Sequence, residues 1–144
     1  MTPIPTPIRD LPTLLATLEP QVQSGIFVFT SVPPGTSIAP TAIVASIREP
    51  EGMTLILPEA EAQQAGLPIL ARCAWITLTV ASDLYAVGLT AAVATALTHV
   101  GISCNIVAGA YHDHLFVPVE AAPRALVALH ALQAQARGHV PAVS

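Results

Sequence analysis

The residues best suited to chemistry fall in two places, and the first is Asn105 followed by Tyr111-His112-Asp113-His114. Residues i and i+2 of a strand share a side, so His112 and His114 could hold a metal ion together while Asp113 faces away. Two imidazoles with no third ligand beside them fall short of a metal site. Near a hairpin tip they serve as well as hydrogen-bonding or turn residues. Asp113 also reads as a turn former whose carboxylate takes local backbone amides. We expect no bound metal and no cofactor.

The second place is Ser82-Asp83-Leu84-Tyr85-Ala86-Val87-Gly88-Leu89, which joins a strand pattern to a helix pattern. Unpaired backbone amides and the positive end of the helix dipole favour an anion there, such as an amino-acid carboxylate, and Gly88 permits close backbone approach. Asp83 is either a ligand for an α-amino group or a turn and capping residue. Nucleophilic catalysis is the competing class. Cys104 could pair with His112 or His114, but strand alternation sends Cys104 inward and away from His114. Ser103 has the right face and lacks a base with an orienting acid. There is no Gly-rich phosphate loop, so the chain is not expected to be an enzyme.

The elements that must position these groups follow from periodicity. Leu11, Leu14, Leu15 and Leu18 mark a short amphipathic helix after an Asp10 cap, ending at Pro20. Ile26 to Val32 reads as a strand, and Ile43 to Arg48 with Met53 to Leu57 reads as a hairpin around Glu49-Pro50-Glu51-Gly52. A Pro/Gly/Ser/Thr loop from Pro33 to Thr41 separates them. Pro58 opens a short helix that Gly66 stops. Ala74, Ile76, Leu78 and Val80 then alternate with Trp75, Thr77 and Thr79. A helix carries Leu89, Val93, Ala96, Leu97 and Val100 inward until Gly101. Ile102 to Ala108 and Leu115 to Val119 alternate as strands, and a last helix places Ala122, Leu126, Leu129 and Ala136 inward.

This element order gives β-loop-β-β-α and then β-α-β-β-α, two copies of one small α+β unit. The expected divisions are an extended arm at 1–9, a first, degenerate unit with its N-terminal helix at 10–66, a linker at 67–72, a second unit at 73–138 and a flexible tail at 139–144. If Cys104, Ile106, Leu115 and Val117 face the helices, then Asn105, Val107, His114 and Phe116 share the other face with Thr77 and Thr79. Such a mixed face suits a ligand or a second subunit equally.

Composition narrows the classes. The 144 residues are 53% hydrophobic and only 10% charged, against about 25% charged in an average soluble protein. Another subunit is expected to cover part of the surface. A net charge of −4, with five Lys plus Arg, argues against nucleic acid. No Asp, Glu, Lys or Arg occurs between Leu84 and Tyr111, yet Gly88, His99, Gly101, Ser103 and Asn105 break that stretch and its period changes at Gly101, so it is no membrane span. The start lacks the features of a secretory signal, and Cys73 and Cys104 read as buried thiols, so the expected location is the cytoplasm.

The runs Ile76-Thr-Leu-Thr-Val80, Val87-Gly-Leu-Thr-Ala-Ala-Val93, Gly101-Ile-Ser-Cys-Asn-Ile-Val107 and His112-Asp-His-Leu-Phe-Val-Pro118 resemble small bacterial ACT-domain proteins. These are similar to the ACT modules of eukaryotic arginine sensors. Asp10-Leu-Pro-Thr-Leu-Leu15, Phe27-Val-Phe29 and Arg48-Glu-Pro-Glu-Gly-Met-Thr-Leu55 extend the resemblance over almost the whole chain. It implies an α+β fold of ferredoxin-like (ACT-like) βαββα units in tandem, with antiparallel sheets, helices on one face and a regulatory role. ACT modules bind amino acids or similar effectors at domain or subunit interfaces, through the loop after the first strand and the start of its helix. Carried over, this marks Asp83, Leu84, Val87, Gly88 and Leu89, with Asn105, His112, Asp113 and His114 as neighbours. Gly88 and Leu89 would give amides to a carboxylate, Asp83 or Asn105 would take the amino group, and the His112 to His114 hairpin would close the site. Many amino-acid-binding relatives carry Asp-x-Pro-Gly in this loop, whereas Tyr85-Ala86-Val87-Gly88 keeps only the glycine. The expectation is a homodimeric amino-acid sensor. The alternatives are a ligand-free protein-interaction module and a His-dependent metal-binding or hydrolytic enzyme.

Overall fold

The computed structural model describes residues 2–139, so the tail expected at 139–144 lies outside them except for His139 at the end of the last helix. Asp10 caps helix α1 (Leu11–Ala16), its carboxylate accepting the Thr13 amide at 3.0 Å, with Pro12 in the first turn. The helix stops before Leu18, and the chain turns through Glu19, at φ 46°, into strand β1 (Pro20–Val22). Strand β2 (Phe27–Val32) follows. The loop after it holds no α-helix and closes with a 3-10 turn at Pro40–Ala42, which delays the hairpin's first strand, β3 (Ala45–Glu49), by two residues. Strand β4 (Gly52–Pro58) pairs with both β3 and β2, and helix α2 (Glu59–Gln64) ends near Gly66, at φ 66°. The remainder is β5 (Ala71–Leu78), α3 (Leu89–His99), β6 (Asn105–Ala108), β7 (Asp113–Pro118) and α4 (Ala122–His139).

Among the described residues, seven strands form one antiparallel sheet in the order β3-β4-β2-β5-β7-β6, with β1 also paired to β5. β2 and β1 lie end to end along β5: β2 pairs with Ala71 to Cys73, and β1 with Ile76 to Leu78. β5 therefore begins inside the segment read as a linker and belongs to both halves. Helix α1 shows the same interleaving. Its Leu14, and Leu18 just beyond it, share a core with Leu89, Val93, Leu97, Leu115, Val117 and Leu129. Although residues 10–66 were grouped as one unit, β1 ties this helix to the far end of β5, where the second half's helices receive its apolar stripe.

Alternation sets the two faces as expected. Ala74, Ile76, Leu78, Leu115 and Val117 face the helices, while Cys73, Trp75, Phe116 and Val107 join Phe27, Phe29 and Ile56 on the other side. That second face is less open than its lack of helices suggests. Register sets the aromatic rings against each other across strands, with Phe27 and Trp75 edge to face at 5.1 Å and Trp75 stacked on its partner Phe116 at 6.1 Å. Phe116 is 1% exposed.

Helix α4, preceded by a 3-10 turn at Val119–Ala121, buries Leu129 as expected, together with Ala121, Ala125 and Gln133, while the expected Ala122 and Leu126 pack against the same core partly buried and Ala136 is partly buried. One helix reading needs correction. Val100 lies past the end of α3 and is exposed rather than inward. Among the described residues, no helix is long and apolar enough to cross a membrane.

Candidate functional site

After β5 the chain crosses ten residues before α3, and Asp83 organises the crossing. Its carboxylate accepts the Tyr85 amide at 2.7 Å, its carbonyl accepts the Ala86 amide at 2.9 Å, and Arg9 lies 3.2 Å away. The Tyr85 amide, and after it Arg9, hold the Asp83 carboxyl below the ordinary aspartate range. Asp83 is thus the turn residue that one of its two readings predicted. Gly88 takes the N-cap of α3 at φ 102° with no side-chain cap, so no side chain competes for the helix's first amides. A Cβ at this position would stand 2.8 Å from a Leu11 methyl.

Between this turn and the sheet lies a cavity of about 70 Å³. Its walls are the Ser82-Asp83-Leu84 turn, Ala86, Leu89 and Thr90 at the start of α3, Ala108 at the end of β6, and Asp113. Asp113 is only 7% exposed and accepts the Ser82 hydroxyl at 2.6 Å. The local turn role expected for it is therefore wrong. It stands on β7 in the same phase as Leu115 and Val117, so its side chain belongs to the helix-facing layer and takes a partner 31 residues away. That phase was the available signal: an acid in an otherwise apolar register requires a polar partner.

The other expected residues do not converge here. Val87 is 82% exposed, and Asn105 is exposed opposite Phe116, at the far end of β6 from Ala108. His112 precedes β7, with Nδ1 3.3 Å from the Val80 carbonyl. His114 lies on the other face, where Trp75 Nε1 donates to its Nδ1 at 3.0 Å and the Thr77 hydroxyl is 3.2 Å from the same nitrogen. Burial, then the neighbouring His112, pushes the His114 pKa down against an opposing pull from Asp113. The shared-face pairing of His112 and His114 therefore fails, since one is in a turn and the other is on a strand. Among the described residues, no three His, Cys, Asp or Glu side chains cluster as metal ligands. Both cysteines are free, and burial raises Cys104 to about 11, far from a reactive thiolate.

Sequence reasoning also missed a polar clamp. Buried Gln133 donates to the Ala16 carbonyl at 3.1 Å and to Glu19 at 2.8 Å, and Arg137 reaches the same two groups at 2.9 and 2.8 Å. Arg137 thus joins Gln133 in fixing the bend between α1 and β1.

An antiparallel sheet with helices on one side, built twice over and opening at a strand-to-helix turn, defines a ferredoxin-like α+β module in tandem. The chain belongs to the ACT-domain family: two family models, each described as an ACT domain, match residues 6–74 and 70–131. The matches overlap in β5, the strand that both halves use. A crystal structure of a Vibrio cholerae protein of unknown function, titled a possible transport protein, is 48% identical, with a TM-score of 0.76 over 85% of this chain and 95% of that one. An Agrobacterium tumefaciens protein gives 0.67 at 14% identity, covering 79% of this chain and 87% of that one. The regulatory subunit of aspartate kinase from Thermus flavus gives 0.58 at 16% identity, over 78% and 95%. The last two likenesses show the fold alone. No curated protein matches the chain at a significant level.

Proposed function

We propose that this chain is a non-enzymatic sensor that binds an amino acid in the cavity at the start of α3 and acts through a homodimer or a protein partner in the cytoplasm. One observation carries the reading: the uncapped start of α3, through Leu89 and Thr90, lines a single small cavity with two aspartates, Asp83 and Asp113, and with Ser82. Such an arrangement suits a zwitterion. The ligand carboxylate would take the first amides of α3, and its ammonium would lie toward the two acids. Asn105 and the two histidines have no part in this version of the site.

At about 70 Å³ the cavity must widen, since small-molecule pockets typically measure roughly 300–1,000 Å³. The side that would open is the Leu84 to Val87 turn, whose Leu84, Tyr85 and Val87 are 64%, 81% and 82% exposed and so contribute little packing. Thermal denaturation with a panel of amino acids tests the proposal. An effector at about a hundred times its dissociation constant adds about 2.7 kcal/mol and should raise Tm by roughly 5–10 °C.

A second reading rests on a different observation. An apolar groove of about 600 Å³ runs beside α4, lined by Val100, Pro123, Arg124, Val127, Ala128 and Ala131. If no amino acid or related metabolite moves Tm, the chain is better described as a protein-interaction module.

A further inference from the structure

The arm preceding α1 is bound to the turn that frames the cavity. The Ile8 amide donates to the Ala81 carbonyl at 2.8 Å, and the Asp83 amide donates to the Ile8 carbonyl at 2.9 Å, forming a parallel bridge opposite Ser82. Arg9 comes next. Its Nε lies 3.2 Å from Asp83 Oδ1, and its Cζ lies 5.6 Å from the centre of the Tyr85 ring. A carboxylate and an aromatic face on one cation make a recognition unit for ammonium and guanidinium groups. With the arm in place Tyr85 is still 81% exposed, so Arg9 covers one side of a ring that is open elsewhere.

We propose that Asp83 and Tyr85 form a cation subsite which the chain fills with its own Arg9, and that an effector's ammonium displaces Arg9 from it. Arm docking and effector binding are then alternatives. This rests on the cavity being the effector site, because Asp83 is both a wall of that cavity and the anchor of the arm. The Arg9 side chain is 67% exposed, and an ion pair so placed is weak, which suits an occupant that must leave. The arm lowers apparent affinity by the fraction of molecules in which it is docked, and effector binding frees residues 2–9 as an extended, proline-rich segment.

The test uses the full chain and its Arg9→Gln variant, each titrated calorimetrically with the common amino acids and followed by amide hydrogen exchange. The amino acid that binds the wild type should bind Arg9→Gln roughly three- to tenfold more tightly. In the wild type, its binding should speed exchange at the Ile8 and Asp83 amides. Binding to Arg9→Gln alone would support the proposal further. Equal affinity, with those two amides still protected in the complex, would overturn the displacement and leave the effector site standing. If no amino acid binds either protein, both ideas fall.

Discussion

Asp113 and His114 are sequence neighbours on opposite faces of β7, and each leads to its own prediction. Asp113→Asn keeps the shape and the acceptor for Ser82 but removes the negative charge. It should retain the wild-type fold by circular dichroism while amino-acid binding falls at least tenfold by calorimetry. Asp113→Leu leaves the Ser82 hydroxyl unpaired and should cost about 1–3 kcal/mol in urea unfolding. His114 has its folded pKa lowered from the usual 6.5, so the unfolded chain takes up the proton first as pH drops. Its contribution to stability is complete above pH 6.5 and is lost as pH falls through the depressed folded value. Unfolding followed by fluorescence of Trp75, the chain's single tryptophan, should show stability falling as pH drops below 6.5, and less so in His114→Asn. Period-two alternation alone places His114, Phe116 and Trp75 on one face, and the structure has them there. For His112 the sequence left strand and turn readings open, and the structure places it just before β7, in the hairpin loop.

Among the elements, helices with caps were the most legible. Asp10, Gly66 and Gly101 each stand where a terminus occurs, because caps act within a few residues of chain. β1 carried no comparable signal. Three residues beginning with proline show no alternation, and only pairing with β5 makes them a strand. Gln133 on α4 was not legible for a related reason, since its buried amide is satisfied by Ala16 and Glu19, more than a hundred residues away in sequence. At the start of α3, Gly88→Ala would place a Cβ at φ 102° and 2.8 Å from Leu11. It should destabilise the chain by about 1–3 kcal/mol, with part of the loss recovered in a Leu11→Ala background where the contact is relieved.

For the whole molecule, the duplication seen in element order hides a shared sheet. A fragment beginning at residue 70 lacks α1 and β1, exposes the core positions that Leu14 and Leu18 cover, and should give no cooperative melting transition. The intact chain should unfold in one step, with fluorescence and circular dichroism transitions coinciding, because β5 joins both halves. The low charge content has a partial explanation in the aromatic face, whose rings bury one another, and the groove along α4 remains as apolar surface. The central claim is that an amino acid binds between α3 and Asp113, and an amide NMR titration tests it most directly. One amino acid, at roughly 10 mM, enough to saturate even a millimolar site, should shift the Leu89, Thr90 and Asp113 amides together with the Ser82 to Ala86 turn, saturably. Unmoved resonances there with every amino acid, or shifts confined to Val127, Ala128 and Ala131 along α4, would contradict it.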